Sequence, residues 1–467
     1  MVFQLNLERV TALKSVRIGA GQGFWGDSAF PALDVVQSGQ VRYLACDALA
    51  ELTLAILQKA RQKDPARGYV EDRFFSLLLR PCRSRSVKIL TNAGGINPAG
   101  AARMVYDLSR GMGFKGLKIA VITGDDILSR IGELKEMGVD LSDMESGGDI
   151  STIEDRILFA NAYLGARPMV KALEMEADVV IAGRTADPAL FLAPMIHELG
   201  WRWDDWDRLA AGILLGHLME CSAQSTGGNF GADWWNVPDM ERIGYPVAEV
   251  YENGEAVLTK PEGTGGRVDL ETVKEQMLYE VHDPAAYVTP DVVADFTSPS
   301  LQLDGPDRVR ITGMKGKPRP QTLKVSIGYS DGWLGEAMMR YSWPNAMKKA
   351  RKADEILRKQ FSALGLRFDE ILSEYIGYNS LSGPLAWGEG EDLNEVGLRI
   401  AVRTKNKLDA AMMPRLVPPL ALNGPPTAGG GGGGGMPRAR ELIGLWSALI
   451  PREQVEKQVK VEILEVD

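Results

Sequence analysis

The sequence predicts an α/β protein: a doubly wound, parallel-sheet N-terminal domain, then a mixed β region, then a β-α-β-β-α-β C-terminal region. Three observations carry that prediction. Short apolar runs rich in Val and Ile alternate with helical stretches through the first half of the chain. From Gly244 to Ser330 the pattern turns short, alternating and rich in turn residues. After Gln321 long strand-like and helix-like stretches follow in a fixed order.

The first five runs are "KSVRIGAG", "VRYLACD", "SVKILTNAGG", "LKIAVITGDD" and "ADVVIAGRTAD". Strands this apolar are buried on both faces, as in a parallel sheet covered by helices. The helices are expected over Ala48 to Arg61, Pro98 to Gly111, Thr152 to Leu164 and Pro168 to Met175. Residues 1–240 form this domain. The next region, 241–320, reads as antiparallel, with Asn253 and Gly254 as a hairpin turn between alternating runs. In 321–467 the expected order is strand Gln321 to Tyr329, helix Pro344 to Phe361, strand Gly365 to Ile376, strand Glu395 to Thr404, helix Pro437 to Leu449 and strand Gln458 to Val466. That is the split βαβ, ferredoxin-like arrangement.

Composition narrows the function classes. The chain has 467 residues, 45% of them hydrophobic, and a formal charge of −9. No basic stripe is offered to a phosphate backbone, so nucleic acid is excluded as the expected partner. Three scattered cysteines, Cys46, Cys82 and Cys221, make no disulfide framework. With no run of roughly 18 uncharged apolar residues and no cationic-then-apolar start, the expectation is a cytoplasmic protein without a membrane partner.

In doubly wound sheets, ligands bind beyond the carboxyl ends of the strands. The unusual residues of this chain fall there. "GAGQGFWGDS" follows the first run, with Gly21, Gly23 and Asp27; "TNAGGINPAG" follows the third, with Asn92, Gly94 and Gly95; "TGDD" follows the fourth, with Asp125; "GRTADPALF" follows the fifth, with Arg184, Thr185 and Asp187. Asp or Asn before a helix is commonly a cap. Four such loops at successive crossings point to one ligand pocket. Arg184 beside a helix start has the makings of a carboxylate or phosphate grip. The first loop lacks the Gly-x-Gly-x-x-Gly spacing of a dinucleotide site, so no nicotinamide cofactor is expected.

Further along, "LLGHLMECSAQSTGGNFGADWW" places His217, Glu220 and Cys221 on one helical face. That spacing suits acid–base work or metal ligation, but three histidines in the whole chain and no Cys-x-x-Cys argue against a metal. Ser225, Thr226, Gly228 and Asn229 form a following polar turn, read either as a structural loop or as part of a substrate cradle. No Gly-x-Ser-x-Gly elbow marks a serine hydrolase. The run Gly429 to Gly435 before Pro437 sits in a long loop, readable as a closing lid or as a slack connector.

Together "GAGQGFWGDS", "TNAGGINPAGAA", "ITGDD", "IAGRTADPAL" and "CSAQSTGGNF" resemble the acyclic terpene utilisation family, the AtuA-like proteins, over about Val16 to Trp446. The resemblance implies bacterial breakdown of citronellol- and geraniol-type compounds through coenzyme A thioesters. It also implies a small ferredoxin-like module after the main domain, of which this chain lacks a full copy, so a separate small partner subunit is expected to supply it. Two functions remain from these residues. One is a hydratase, lyase or isomerase acting on a small carboxylic acid or its acyl-CoA, with Asp125, Asp187, His217 and Glu220 moving protons and Gly21, Gly23, Asp27, Asn92, Gly94, Gly95, Arg184, Thr185, Ser225, Thr226, Gly228 and Asn229 holding substrate. The other is a non-catalytic binding or assembly subunit. No cofactor is expected beyond coenzyme A as part of the substrate, and a homo-oligomer is expected for an α/β protein of this size.

Overall fold

The computed structural model describes residues 13–61, 63–388, 393–430 and 438–467. The chain divides into two compact units, the larger built from residues up to Thr152, Leu158–Ile327 and Trp446–Asp467, the smaller from Ile153–Ile157 and Gly328–Leu445. It is a mixed α/β protein with several sheets, one of them parallel at its centre.

In the larger unit the five apolar runs form strands Ser15–Gln22, Tyr43–Cys46, Lys88–Thr91, Lys118–Thr123 and Val179–Ile181. Every residue from Tyr43 to Cys46 and from Val179 to Ile181 is buried, which requires cover on both faces. All neighbouring pairs among the five are parallel, and Val179–Ile181 is inserted between Lys88–Thr91 and Lys118–Thr123. Antiparallel strands widen this centre into a ten-stranded sheet. On one side lie Val247–Tyr251 and Ala256–Thr259, joined through Gly254, whose φ of +89° the Asn-Gly turn demands. On the other side Lys460–Glu465 pairs antiparallel with Lys118–Thr123.

Helix starts follow local chemistry. Asn97 accepts from the Gly100 amide at 3.1 Å ahead of helix Pro98–Gly111, and Asp269 closes a capping box with Thr272. The helix expected over Thr152 to Leu164 is not formed; Ile157–Ala162 is a strand. Its backbone finds partners outside itself, Ile127 N donating to Ala160 O at 2.9 Å and Ala162 N to Asp125 O at 2.8 Å, so tertiary pairing overrides the local helical pattern.

The smaller unit holds an antiparallel sheet of Glu370–Ile376, Glu395–Thr404, the latter part of Thr322–Ser342, and Ala428–Gly430. Helix Ala346–Ala363 buries Ala346, Ala350, Ala353, Leu357 and Phe361, one side at helical spacing, in a core with Val396, Leu398, Ile400 and Val402. Where a second helix is expected, over Pro437 to Leu449, the chain is strand Arg440–Pro451. The burial explains it: Trp446, Ala448 and Ile450 are buried while Leu445 and Leu449 are exposed, a period of two. The last strand belongs to the sheet of the larger unit, so the expected β-α-β-β-α-β order is not completed. Gly429 and Gly430 lie in strand Ala428–Gly430; Gly431 to Pro437, with most of the glycine run, fall outside the described residues. Among the described residues no helix is long and apolar enough to cross a membrane.

Leu357 is fully buried. Leu357→Ala is expected to cost about 2–5 kcal/mol, seen as a lower urea midpoint at unchanged slope for the transition of the smaller unit.

Candidate functional site

Parallel strands bring their carboxyl-end loops side by side, and here the loops after Cys46, Thr91, Thr123 and Ile181 are tied to one another by hydrogen bonds centred on Arg184, Asp125 and Asn92. Arg184 is 2% exposed. Its guanidinium donates to the Leu49 carbonyl and to Asp187 Oδ1 at 2.6 Å, and its plane lies 4.1 Å from the Tyr163 ring centre. The Arg184 amide donates to Asp125 Oδ2 at 2.8 Å, and Asn161 Nδ2 to the same oxygen at 2.8 Å. A Cβ on Gly183 would stand 2.4 Å from that carboxylate, so only glycine lets the strand end approach Asp125. Asn92 Oδ1 accepts from Ala48 N at 2.7 Å while its Nδ2 donates to Asp47 Oδ1 at 2.5 Å, tying the second and third loops together.

One guanidinium faces several carboxylates, and burial decides which of them ionise. Asp47 and Glu220 are both pushed well above the usual carboxylate range, first by burial and then by the charge of Asp187, and Arg184 only partly offsets this. Asp125 is raised to about 6 by burial, against the bonds from Arg184 and Asn161. Glu51 goes the other way: burial opposes its charge, but Arg184, the Tyr163 hydroxyl and Lys324 outweigh it and bring it down to about 2. The Tyr163 hydroxyl donates to Glu51, and Lys324 Nζ lies 3.2 Å from the same carboxylate.

His217 is lowered to about 4 by burial, so its ring is neutral near pH 7. Its Nδ1 is 3.0 Å from Glu220 Oε1 and its Nε2 2.8 Å from the Gln276 carbonyl. A carbonyl only accepts, which places the ring proton on Nε2. Nδ1 then accepts from the protonated Glu220. Among the described residues Glu220 Oε2, Arg184 Nε and Thr185 Oγ1 are buried without a hydrogen-bond partner.

A cavity of about 420 Å³ opens beside this cluster. Its walls are chiefly apolar, with Met144, Pro188, Val288, Pro290, Leu323 and Leu449, and its polar side chains include Asp187, Tyr163, Tyr287 and Lys324. Asp187 is thus fixed from behind by Arg184 and presented to an apolar space. Among the described residues no group of three or more His, Cys, Asp or Glu is placed to hold a metal ion.

The structure brings Asn92, Asp125, Arg184, Asp187, His217 and Glu220 into this neighbourhood and sets the other expected residues differently. Arg184 braces the protein internally through Nη1, which donates to the Leu49 carbonyl and to Asp187, while its Nε is without a partner. Asp27 holds its own loop, accepting from Gly23 N at 3.0 Å, Ser222 Oγ at 2.5 Å and Tyr245 Oη at 2.6 Å, and lines a different cavity with Glu71. Gly21 packs against Cys46 and Leu44, Gly94 against the Ala182 carbonyl, and Gly95 turns with φ +54°. Thr226 bonds to the Ala223 carbonyl within its turn and to the more distant Gly244 carbonyl, while Gly228 N bonds to Ala223 O and Asn229 to Gln224 within the turn; Ser225 is buried in the same turn.

Asp47, Glu51, Tyr163, Tyr287 and Lys324 belong to the site without having been singled out from sequence. For the first two the signal was present: "CDALAEL" is the loop after the second strand, a position equivalent to the other four. Tyr163 and Lys324 sit on pairing segments, Tyr163 N donating to Lys324 O at 2.9 Å, and nothing local marks them.

The family model described as acyclic terpene utilisation family protein AtuA matches residues 16–461, nearly the full chain. No curated protein and no solved structure matches it.

The folded Asp125 carboxyl titrates near 6 against an ordinary 3.8. Its raised value means that its contribution to stability is complete below pH 3.8 and is lost as pH rises through 6. Asp125→Asn, which keeps an oxygen for Arg184 N, is expected to remove about 3 kcal/mol of stability loss between pH 4 and 7, read from urea midpoints across that range. Asp291, also raised to about 6 by burial, and Asp47 and Glu220, raised well above the ordinary range, retain their own share of the dependence.

Proposed function

Since the chain belongs to the acyclic terpene utilisation family AtuA, we propose that it is a catabolic enzyme of that chemistry, acting on a small branched carboxylic acid or its coenzyme A thioester. The reaction type is proton transfer next to the carbonyl, as a hydratase, lyase or isomerase performs it. The observation that carries this reading is Asp187, ion-paired to a buried arginine and lining a mainly apolar cavity that also contains Lys324.

Each part has a role. The apolar walls take the hydrocarbon chain and exclude water, which strengthens every charge interaction inside. Lys324 spends one ammonium proton on Glu51 and has others for the oxygen of a carboxylate or thioester, stabilising the negative charge that develops when the neighbouring carbon loses a proton. Asp187 is the base. Its position is set by the 2.6 Å bond to Arg184, which cannot itself be deprotonated and so supplies orientation rather than protons. Behind it Glu220 holds a proton beside His217, and that proton is favoured by the Asp187 charge. When Asp187 takes a proton from substrate this field weakens, so the cluster shares the load between acids instead of accumulating charge in a dry wall.

The test is deuterium exchange. Purified protein is incubated in heavy water with branched unsaturated acids and their coenzyme A thioesters, and label at carbon next to the carbonyl is followed by mass spectrometry. Asp187→Asn is expected to lower the exchange rate by about 100-fold or more. Lys324→Ala is expected to lower kcat/KM through both parameters, because its contact is made to substrate and strengthens in the transition state. Undiminished exchange in Asp187→Asn removes the base assignment, and a complete lack of exchange or thermal stabilisation with either class of compound removes the enzyme reading.

A further inference from the structure

A second cavity, of about 230 Å³, shares the Leu323 wall with the first. Pro290 lines the first and Asp291 the second, so a single backbone segment separates them. The charged residues of the second cavity are Arg167, Lys171, Arg452, Asp291 and Glu456.

Their partners divide them into two sets. Arg452 is 6% exposed and committed: it donates to Pro320 O at 2.6 Å, to Pro290 O at 3.0 Å and to Glu456 Oε1 at 2.7 Å. Glu456 is divided, since Arg319 also reaches it at 3.2 Å. Asp291 is buried, and both its oxygens take the Ala166 amide, at 2.9 and 3.1 Å. The second set is Arg167 and Lys171, four residues apart on helix Arg167–Glu174 and therefore on one face. Among the described residues neither has an ion-pair partner. The Arg167 guanidinium carbon stands 4.1 Å from the Trp203 ring centre, a cation–π contact that places the group without neutralising its charge. Burial and then the nearby Arg319 hold the Arg167 guanidinium below its ordinary range, and the charges of Asp291 and Glu456 only partly offset them.

We infer that this cavity is a phosphate subsite, in which Arg167 and Lys171 take the phosphate end of a ligand. Charge and size decide the class. A carboxylate brings one negative charge to two unmatched cations, whereas a phosphate monoester carries about −1.5 to −2 at neutral pH and three acceptor oxygens. Arg167 suits paired oxygens and Lys171 a point charge. A volume of 230 Å³ holds a phosphate or diphosphate with a few waters, each water taking about 30 Å³, but not a whole nucleotide, so the remainder of a larger ligand lies outside. Because the two cavities share a wall, the phosphates of a coenzyme A thioester whose acyl chain fills the first cavity are the ligand of choice. That last step rests on the reading of the preceding subsection; the phosphate subsite does not.

The experiment is calorimetric titration of the full chain with inorganic phosphate, ADP, coenzyme A and a short acyl-CoA at low ionic strength, in parallel with a branched acid that carries no phosphate. ADP and coenzyme A are expected to bind more tightly than inorganic phosphate. The double variant Arg167→Ala, Lys171→Ala is expected to weaken the phosphate-bearing probes by about tenfold or more and to leave the branched acid unchanged. Arg167→Lys with Lys171→Arg keeps the charge and is expected to retain most of the affinity. The inference is overturned if none of the phosphate probes binds the wild-type chain, or if the double alanine variant binds them equally well. If ADP and coenzyme A bind but an acyl chain adds no affinity, the phosphate subsite stands and the acyl-thioester reading of the first cavity falls.

Discussion

A single buried guanidinium organises the larger unit. Arg184 lies at the end of the strand inserted in the middle of the parallel sheet, where water cannot solvate it. An unpaired charge there costs several kcal/mol, so its surroundings must supply acceptors. They come from separate places in the chain: the Leu49 carbonyl, the Asp187 carboxylate and the face of Tyr163. Satisfying one side chain therefore holds the loops after three strands in a fixed relation.

The same charge sets the proton inventory around it. Asp47, Glu51, Asp187 and Glu220 all feel Arg184, and a dry region does not tolerate three net negative charges. Glu51 keeps its charge against burial because Arg184, then the Tyr163 hydroxyl and Lys324, support it. Asp47 and Glu220 are pushed the other way, because burial and then the Asp187 charge disfavour a second and third anion. His217 is neutral because burial lowers it, against the Gln276 carbonyl that favours the charged ring; that carbonyl fixes only where the one ring proton sits, on Nε2. Residues that read as interchangeable acids along the chain become distinct in protonation, which is the condition for dividing base and proton store between them.

Strand-tip logic pointed to several members of the central cluster and stopped where contacts became non-local. The rule that ligand residues lie beyond parallel strands pointed to Asn92, Asp125 and Asp187, and applied to the second strand it would also have pointed to Asp47 and Glu51. It did not separate the exposed turn at Asn229, or the loop brace at Asp27, from the central cluster, because a glycine turn that holds itself has the same composition as one that holds a ligand. Lys324 and Tyr163 were invisible to it: they meet through pairing across more than 150 residues of chain. The strand at Arg440–Pro451 has the same origin. Its apolar residues fit helix and strand periods alike until neighbouring strands supply the hydrogen bonds.

Buried apolar runs made the parallel centre of the sheet legible in the sequence, and the hairpin at Gly254 and the helix start at Pro98 were legible because each depends on residues within one turn of each other, whereas the helix after Asp269 was not read. The sequence by itself also determined that acidic and glycine-rich tips follow those strands. Only the tertiary structure decided that Arg184 is buried and paired with Asp187, that Asp187 meets an apolar cavity, and that the final strand joins the larger sheet. The physical reason is that burial and long-range pairing set the energy of a charge or a backbone amide through neighbours remote in the chain, and local pattern carries no record of them.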